Sequence, residues 1–167
     1  MNIRTDRLLL RTLEQKDAAD LLSMFKNDKI KQTYMIPDFP TEEAANKLVQ
    51  RFIELSHDRA RVVIGIERDG RLIGFINDTG IENGSIELGY VIHPDEHGKG
   101  YMTEALGAMI PLLFEQGFSE IVAGAFKENA ASIRVMEKCG MARMDKQETC
   151  EYRGRVHDCV YYAIQRA

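Results

Sequence analysis

The segment with the most chemistry in it is Gly98-Lys99-Gly100-Tyr101-Met102-Thr103. Glycines let a backbone approach a ligand closely, and a helix starting here points its first N–H groups at whatever binds. The positive end of the helix dipole and the Lys99 ammonium add to the same field. The segment therefore reads as an anion site suited to a pyrophosphate. Taken alone, it fits a plain glycine-rich turn equally well. Two other phosphate loops fail against it. A Walker loop needs Ser or Thr directly after Gly-Lys, and here Gly100 follows Lys99. A dinucleotide fingerprint needs a third glycine where Thr103 stands, after the first strand of a parallel unit.

Other groups invite chemistry with less force. His93-Pro94-Asp95-Glu96-His97 has the H-x-x-E-H spelling of a zinc protease, which needs both imidazoles on one helical face. Pro94 after the first His and the glycines after the second argue for a loop instead, so no metal is expected. Glu87 lies on a strand where Ile86 and Leu88 face the other way. It is a base if its side opens on a cleft and an ordinary solvated residue otherwise. Glu104, in the first turn of a helix, complements the helix dipole, a sufficient structural role. Glu151 sits beside Tyr152 on a hairpin, where a lone carboxylate usually meets solvent. Ser132, within Asn129-Ala130-Ala131-Ser132, fits a local hydrogen-bonding role in the first turn of its helix.

The elements that must position these residues can be read from hydrophobic period and turn chemistry. Leu8, Leu9, Leu10 and Leu13 predict a first strand, and Ala18, Leu21, Leu22 and Phe25 a helix over 17–27. Residues 30–40, with Tyr34, Pro37, Phe39 and Pro40, have loop composition. Thr41 caps a second helix striped by Ala45, Leu48, Val49, Phe52 and Ile53. Asp69-Gly70 and Asn83-Gly84 separate three antiparallel strands, the last being Ser85–Ile92. A helix from Thr103 to near Gly117, interrupted by Pro111, then leads to a strand at 121–126, which implies a parallel crossover. Asn129 caps a fourth helix closed by Gly140, and two final strands turn at Arg153-Gly154.

The whole is a mixed α+β fold: a mostly antiparallel, twisted central sheet with one parallel strand–helix–strand crossover and about four helices. A length of 167 residues fits one domain over 1–167. Twenty-two Lys and Arg against 26 Asp and Glu leave a net charge of -4, which attracts no phosphate backbone and suits a cationic substrate better. No nucleic-acid partner is expected. The apolar run at 108–114 is far short of the ~20 residues that span a bilayer, and the charged start resembles no signal peptide. Cys139, Cys150 and Cys159 are odd in number and lack metal spacing, so free thiols in a reducing cytoplasm are expected, with no membrane partner.

The assembly resembles the GNAT superfamily of N-acetyltransferases, especially the branch containing the ribosomal-protein-alanine N-acetyltransferases. The resemblance covers nearly the whole chain. It runs through Thr5-Asp6-Arg7-Leu8-Leu9-Leu10-Arg11, Glu87-Leu88-Gly89-Tyr90, and His97 through Ala105. It continues through Asn129-Ala130-Ala131-Ser132, Glu137-Lys138-Cys139-Gly140, and Gly154 with Asp158. It implies that acetyl-CoA binds in a V-shaped split between the central strand and the strand after the crossover helix. By that similarity, backbone groups of Tyr90, Val91 and Ile92 hold the pantetheine arm and thioester carbonyl. Amides of Gly98, Lys99, Gly100, Tyr101, Met102 and Thr103 cradle the pyrophosphate, and Asn129 contacts the pantetheine.

The implied chemistry is direct attack of a neutral amine on the thioester, with a base to take its proton and an acid for the leaving thiolate. Many superfamily members place a Tyr acid four residues after the position of Ser132, but Met136 stands there. The ribosomal-protein branch is similar instead in having Ser132 as the proposed acid and Glu151 as the proposed base, with Glu87 the second candidate base. His97 and Met102 depart from the loop's usual residues, and Met102 adds bulk where the family favours little. A non-catalytic acyl-CoA-binding module on the same fold is the alternative. The acceptor is expected to be a cationic amine (a peptide N-terminus, a polyamine or an aminoglycoside) lined by Tyr34, Asp38, Phe39 and Tyr152. The last hairpin also offers strands able to pair between chains, as a homodimer.

Overall fold

The structure is a computed structural model describing residues 1–167. Along the chain its elements are β1 (Asn2–Arg4), β2 (Leu9–Arg11), α1 (Ala18–Phe25), α2 (Asp28–Lys31), α3 (Glu42–Ser56), β3 (Val63–Arg68), β4 (Arg71–Glu82) and β5 (Ser85–Ile92). They continue with α4 (Tyr101–Glu115), β6 (Glu120–Phe126), α5 (Ala130–Lys138), β7 (Ala142–Tyr152) and β8 (Arg155–Gln165). The strands form one sheet in the order β1-β2-β3-β4-β5-β6-β8-β7. Three two-residue turns, Asp69-Gly70, Asn83-Gly84 and Arg153-Gly154, hold both residues at positive φ, the geometry that matches the twist of a tight hairpin. Ser85–Leu88 run parallel to Glu120–Ala123, which is the crossover read from the sequence.

The chain divides into two units, residues 1–77 with 90–105 and residues 78–89 with 106–167. In the first, α1, α2 and α3 cover a core in which Phe25, Phe52, Phe75 and Tyr34 meet edge to face, with centroids 4.9–5.9 Å apart. The guanidinium of Arg11 is buried here. It grips both oxygens of the buried Asp17 at 2.7 and 2.8 Å and also bonds Glu67, which is what makes its burial tolerable. In the second unit β6 pairs β8 and β8 pairs β7, all antiparallel, and Asn129 caps α5 by accepting from the Ser132 amide. A register shift between Arg143 and Gln147 bulges β7 away from its partner.

Three local expectations change. A three-residue strand, β1, precedes the predicted first strand; its two end residues are exposed, so no apolar pattern announces it. The expected loop at 30–40 begins inside α2, a single turn started when the Asn27 side chain accepts from the amides of Lys29 and Ile30. With α2 the helices number five. α4 also starts at Tyr101 rather than Thr103, directly after the second glycine of the loop, and runs on through Pro111.

Burial pushes the Asp17 carboxyl up, but the hydrogen bonds from Arg11 and the Glu14 amide outweigh it and hold the group below its ordinary value of 3.8. A depressed folded value stabilises the fold above the unfolded value and is lost as pH falls through the folded one. The melting temperature is therefore expected to drop as pH falls below about 4. Asp17→Asn is expected to cost about 3 kcal/mol at pH 7, because Glu67 is then the only carboxylate left to the buried Arg11, and to show a shallower acid limb. Thermal melts of both proteins across pH 2.5–7 check this.

Candidate functional site

Gly98 and Gly100 adopt φ of +74° and +80°, so the segment takes the backbone course that its glycines foretold. The first helical bond of α4 runs from the Glu104 amide to the Gly100 carbonyl at 3.0 Å. Ahead of it, the amides of residues 98–102 donate to no other group of the chain. Consecutive undonated N–H groups at the start of a fifteen-residue helix are donors of the kind that can receive an anion on backbone alone. The loop is tied down at its entry, where the His93 amide donates to Ile73 at 2.7 Å and the His97 ring bonds the Ile92 carbonyl at 3.0 Å.

The side chains of the loop correct parts of its sequence reading. Lys99 does not stand free: its ammonium donates to Glu96 at 2.9 Å, and that contact, foremost, holds the Glu96 carboxyl below its usual range. Met102 and Tyr101 are buried in the core, so the bulk of Met102 goes inward. Residues 94–96 form a single 3-10 turn in which the Asp95 amide donates to the His93 ring, so His93 and His97 do not share the helical face that the zinc motif requires. Tyr90, Val91 and Ile92 complete β5 beyond Leu88, the last β5 residue in the parallel ladder.

In the second unit the helix cap places Ser132, half-buried, one turn into α5; Met136, four positions on, is buried. The two candidate bases are separated by strand register. Glu87 pairs Val122, which pairs Ala163, whereas Glu151 pairs Val156, an odd number of positions away along β8. Side chains alternate along a strand, so Glu87 and Glu151 lie on opposite faces. The burial pattern of β5 agrees: Ile86 and Leu88 are buried and Glu87 is half-exposed.

The face that carries Glu87 also holds a pair the sequence did not announce. Tyr161 donates its hydroxyl to Glu148 at 2.8 Å, under the ammonium of Lys146, which sits 4.2 Å from the ring centre. Burial first, then the Glu148 carboxylate, and more weakly Glu87, push the Tyr161 phenol well above its ordinary range. Only the β7–β8 register brings these residues together. Two cysteines, Cys150 and Cys159, also come within 3.0 Å, sulfur to sulfur, and burial pushes the Cys159 thiol up to about 12, which leaves it a poor nucleophile.

The residues expected to line an acceptor are largely engaged. Tyr34 donates to Asn77 at 2.7 Å and packs on Phe75, and Asp38 takes the Lys31 ammonium at 3.0 Å. Phe39 is half-buried against the same core, with Lys31 over its ring. Tyr152, in the second unit, lies near Phe126 and His157, with His157 stacked on Phe126 at 4.2 Å.

The comparisons with known proteins bear on the whole chain. Residues 7–142 match the Acetyltransferase (GNAT) domain, and the chain belongs to that family. The uncharacterized N-acetyltransferase YoaA of Bacillus subtilis (strain 168) is 29% identical over 168 residues, covering 97% of this chain and 95% of that protein. The crystal structure of an acetyltransferase (GNAT family) from Bacillus anthracis superposes with a TM-score of 0.83 at 29% identity, covering 99% and 98% of the two chains. RimL, a ribosomal L7/L12 alpha-N-protein acetyltransferase solved with coenzyme A, shares the fold, with a TM-score of 0.88 at 24% identity over 99% and 98%. The chain is an N-acetyltransferase, and its family membership implies acetyl-CoA-dependent N-acetylation.

The Tyr161–Glu148 contact can be checked directly. Removing the carboxylate charge by Glu148→Gln is expected to move one tyrosine transition to lower pH, toward the ordinary value of 10.0. Difference absorbance at alkaline pH should show a late transition in the wild type, and its loss in Tyr161→Phe assigns it.

Proposed function

We propose that the chain moves an acetyl group from acetyl-CoA to a primary amine, with the α-amine of a peptide N-terminus as acceptor, by direct attack in a ternary complex. The observation that carries the reading is the undonated amide run of residues 98–102 at the head of α4, with Gly98 and Gly100 at positive φ. In this reading the amides of Gly98 through Thr103 hold the pyrophosphate. Backbone groups of Tyr90, Val91 and Ile92 hold the pantetheine arm and the thioester carbonyl, and Asn129 touches the pantetheine. Each role follows from a matching family position.

The neutral amine attacks the thioester carbonyl carbon, a C–N bond forms, and collapse of the tetrahedral intermediate breaks the C–S bond. Strand amides stabilise the oxyanion, commonly the largest electrostatic contribution. Glu151 takes the amine proton and the Ser132 hydroxyl protonates the leaving thiolate. Glu151 is exposed, beside the turn that joins the last two strands. An α-amine, with a pKa of about 8, is roughly one-tenth neutral at pH 7, whereas a lysine-type amine near 10.4 is mostly charged. The α-amine therefore asks less of its base, and it is the acceptor named for RimL.

Calorimetry is expected to show one-to-one binding of acetyl-CoA and none of NAD. Gly98→Ala meets no neighbour within 4 Å, so its strain of ~1–2 kcal/mol costs only a few degrees of melting temperature. It is nevertheless expected to weaken acetyl-CoA at least 10-fold by turning the amides. Thiol release should then be at least 10-fold faster with a free N-terminal peptide than with an N-blocked lysine peptide, a polyamine or an aminoglycoside. Glu151→Gln and Ser132→Ala are expected to cut kcat about 100-fold with the acetyl-CoA affinity unchanged. Loss in Glu87→Gln instead would move the base to the other face of the sheet.

A further inference from the structure

Glu104 has a simple explanation as a carboxylate at a helix N-terminus, yet its geometry asks for more. A helix-dipole role needs the charge only near the first turn. Here both oxygens are spent on a distant stretch of chain: Oε1 accepts from the Thr5 hydroxyl at 2.6 Å and the Arg7 amide at 2.9 Å, and Oε2 from Arg7 Nε at 2.7 Å. The guanidinium so oriented donates through Nη1 to the Lys99 carbonyl at 2.8 Å and lies 4.5 Å over the Tyr101 ring. Its Nη2 stands 3.4 Å from where a Cβ on Gly100 would be. One arginine thus holds Lys99 and Tyr101 and lies beside the glycine between them.

The bond to Lys99 has a directional consequence. In a trans peptide the carbonyl of one residue and the N–H of the next point opposite ways. Holding the Lys99 carbonyl toward Arg7 turns the Gly100 N–H away from it, among the amides that donate to nothing in the chain. Because Glu104 already neutralises Arg7, the arginine serves through the direction it imposes and not as a free cation for a phosphate.

Resting on the reading of residues 98–103 as the pyrophosphate loop, we propose that Arg7 and Glu104 are positioning residues that set the loop's amides for the acetyl-CoA pyrophosphate. Thr5 completes the carboxylate's coordination.

The test compares acetyl-CoA with acetyl-pantetheine, a donor that lacks the pyrophosphate, in the full chain and in Arg7→Ala, Arg7→Lys and Glu104→Gln. The ratio of kcat/KM for acetyl-CoA over acetyl-pantetheine is expected to fall at least 10-fold in each variant, carried by KM and matched by a weaker calorimetric Kd. Arg7→Lys keeps the charge but lacks the fork, so it should fail like Arg7→Ala. Restoration by lysine would overturn the positioning role in favour of simple charge. An unchanged ratio in Glu104→Gln, the isosteric change least able to unfold the chain, overturns the proposal while the loop reading survives. Failure of the wild type to bind acetyl-CoA overturns both.

Discussion

A loop that binds an anion through its backbone must turn several N–H groups the same way and hold them against the chain's own entropy. Ordering each backbone residue costs roughly 1–2 kcal/mol. The six residues at 98–103 meet that demand with two left-handed glycines, with His93 and His97 tied to neighbouring carbonyls, and with the carboxylate of Glu104 gripping the β1–β2 segment. The side chains that appear most suited to an anion are committed elsewhere, Lys99 to Glu96 and Arg7 to Glu104. The loop's field comes from peptide dipoles, and its charged side chains mostly fix shape.

The first unit repeats this division of labour away from the loop. Arg11 is buried because Asp17 and Glu67 accept its donors, and Tyr34 brings its hydroxyl to Asn77 while its ring joins the phenylalanine cluster. Lys31, itself buried, spends its ammonium on Asp38 and lies over Phe39. Polar groups that look available on a sequence are thus consumed in tying the segments before α1 and after α2 to the sheet and to each other.

What was legible in the sequence was what local chemistry decides. Asp69-Gly70 and Asn83-Gly84 announced hairpins because only a few residues tolerate those dihedrals, and Thr41 and Asn129 announced helix starts because their side chains accept the first amides. The loop glycines were legible for the same reason. β1 was hidden because three residues with exposed ends carry no period, and α2 because one turn is shorter than any helical stripe. The contacts of Glu104 with Thr5 and Arg7 span almost a hundred positions, and the Tyr161–Glu148 pair depends on a bulged register. Neither leaves a local mark, so a first-turn glutamate read as a dipole partner and no more.

Register also bears on the chemistry. A general base must lie within about 3 Å of the proton it removes, or one water away. Two carboxylates on opposite faces of a sheet do not both meet that condition for one nitrogen, so Glu87 and Glu151 are alternatives rather than partners. Their surroundings differ in kind. Glu87 shares its face with Tyr161 and Glu148, and its charge adds weakly to what pushes the Tyr161 phenol up. Glu151 lies at the end of β7, beside the turn, exposed and away from that cluster. With Glu151 proposed as the base, the choice of base and the choice of acceptor become one question, because an α-amine near pKa 8 gives up its proton more readily than a lysine-type amine near 10.4.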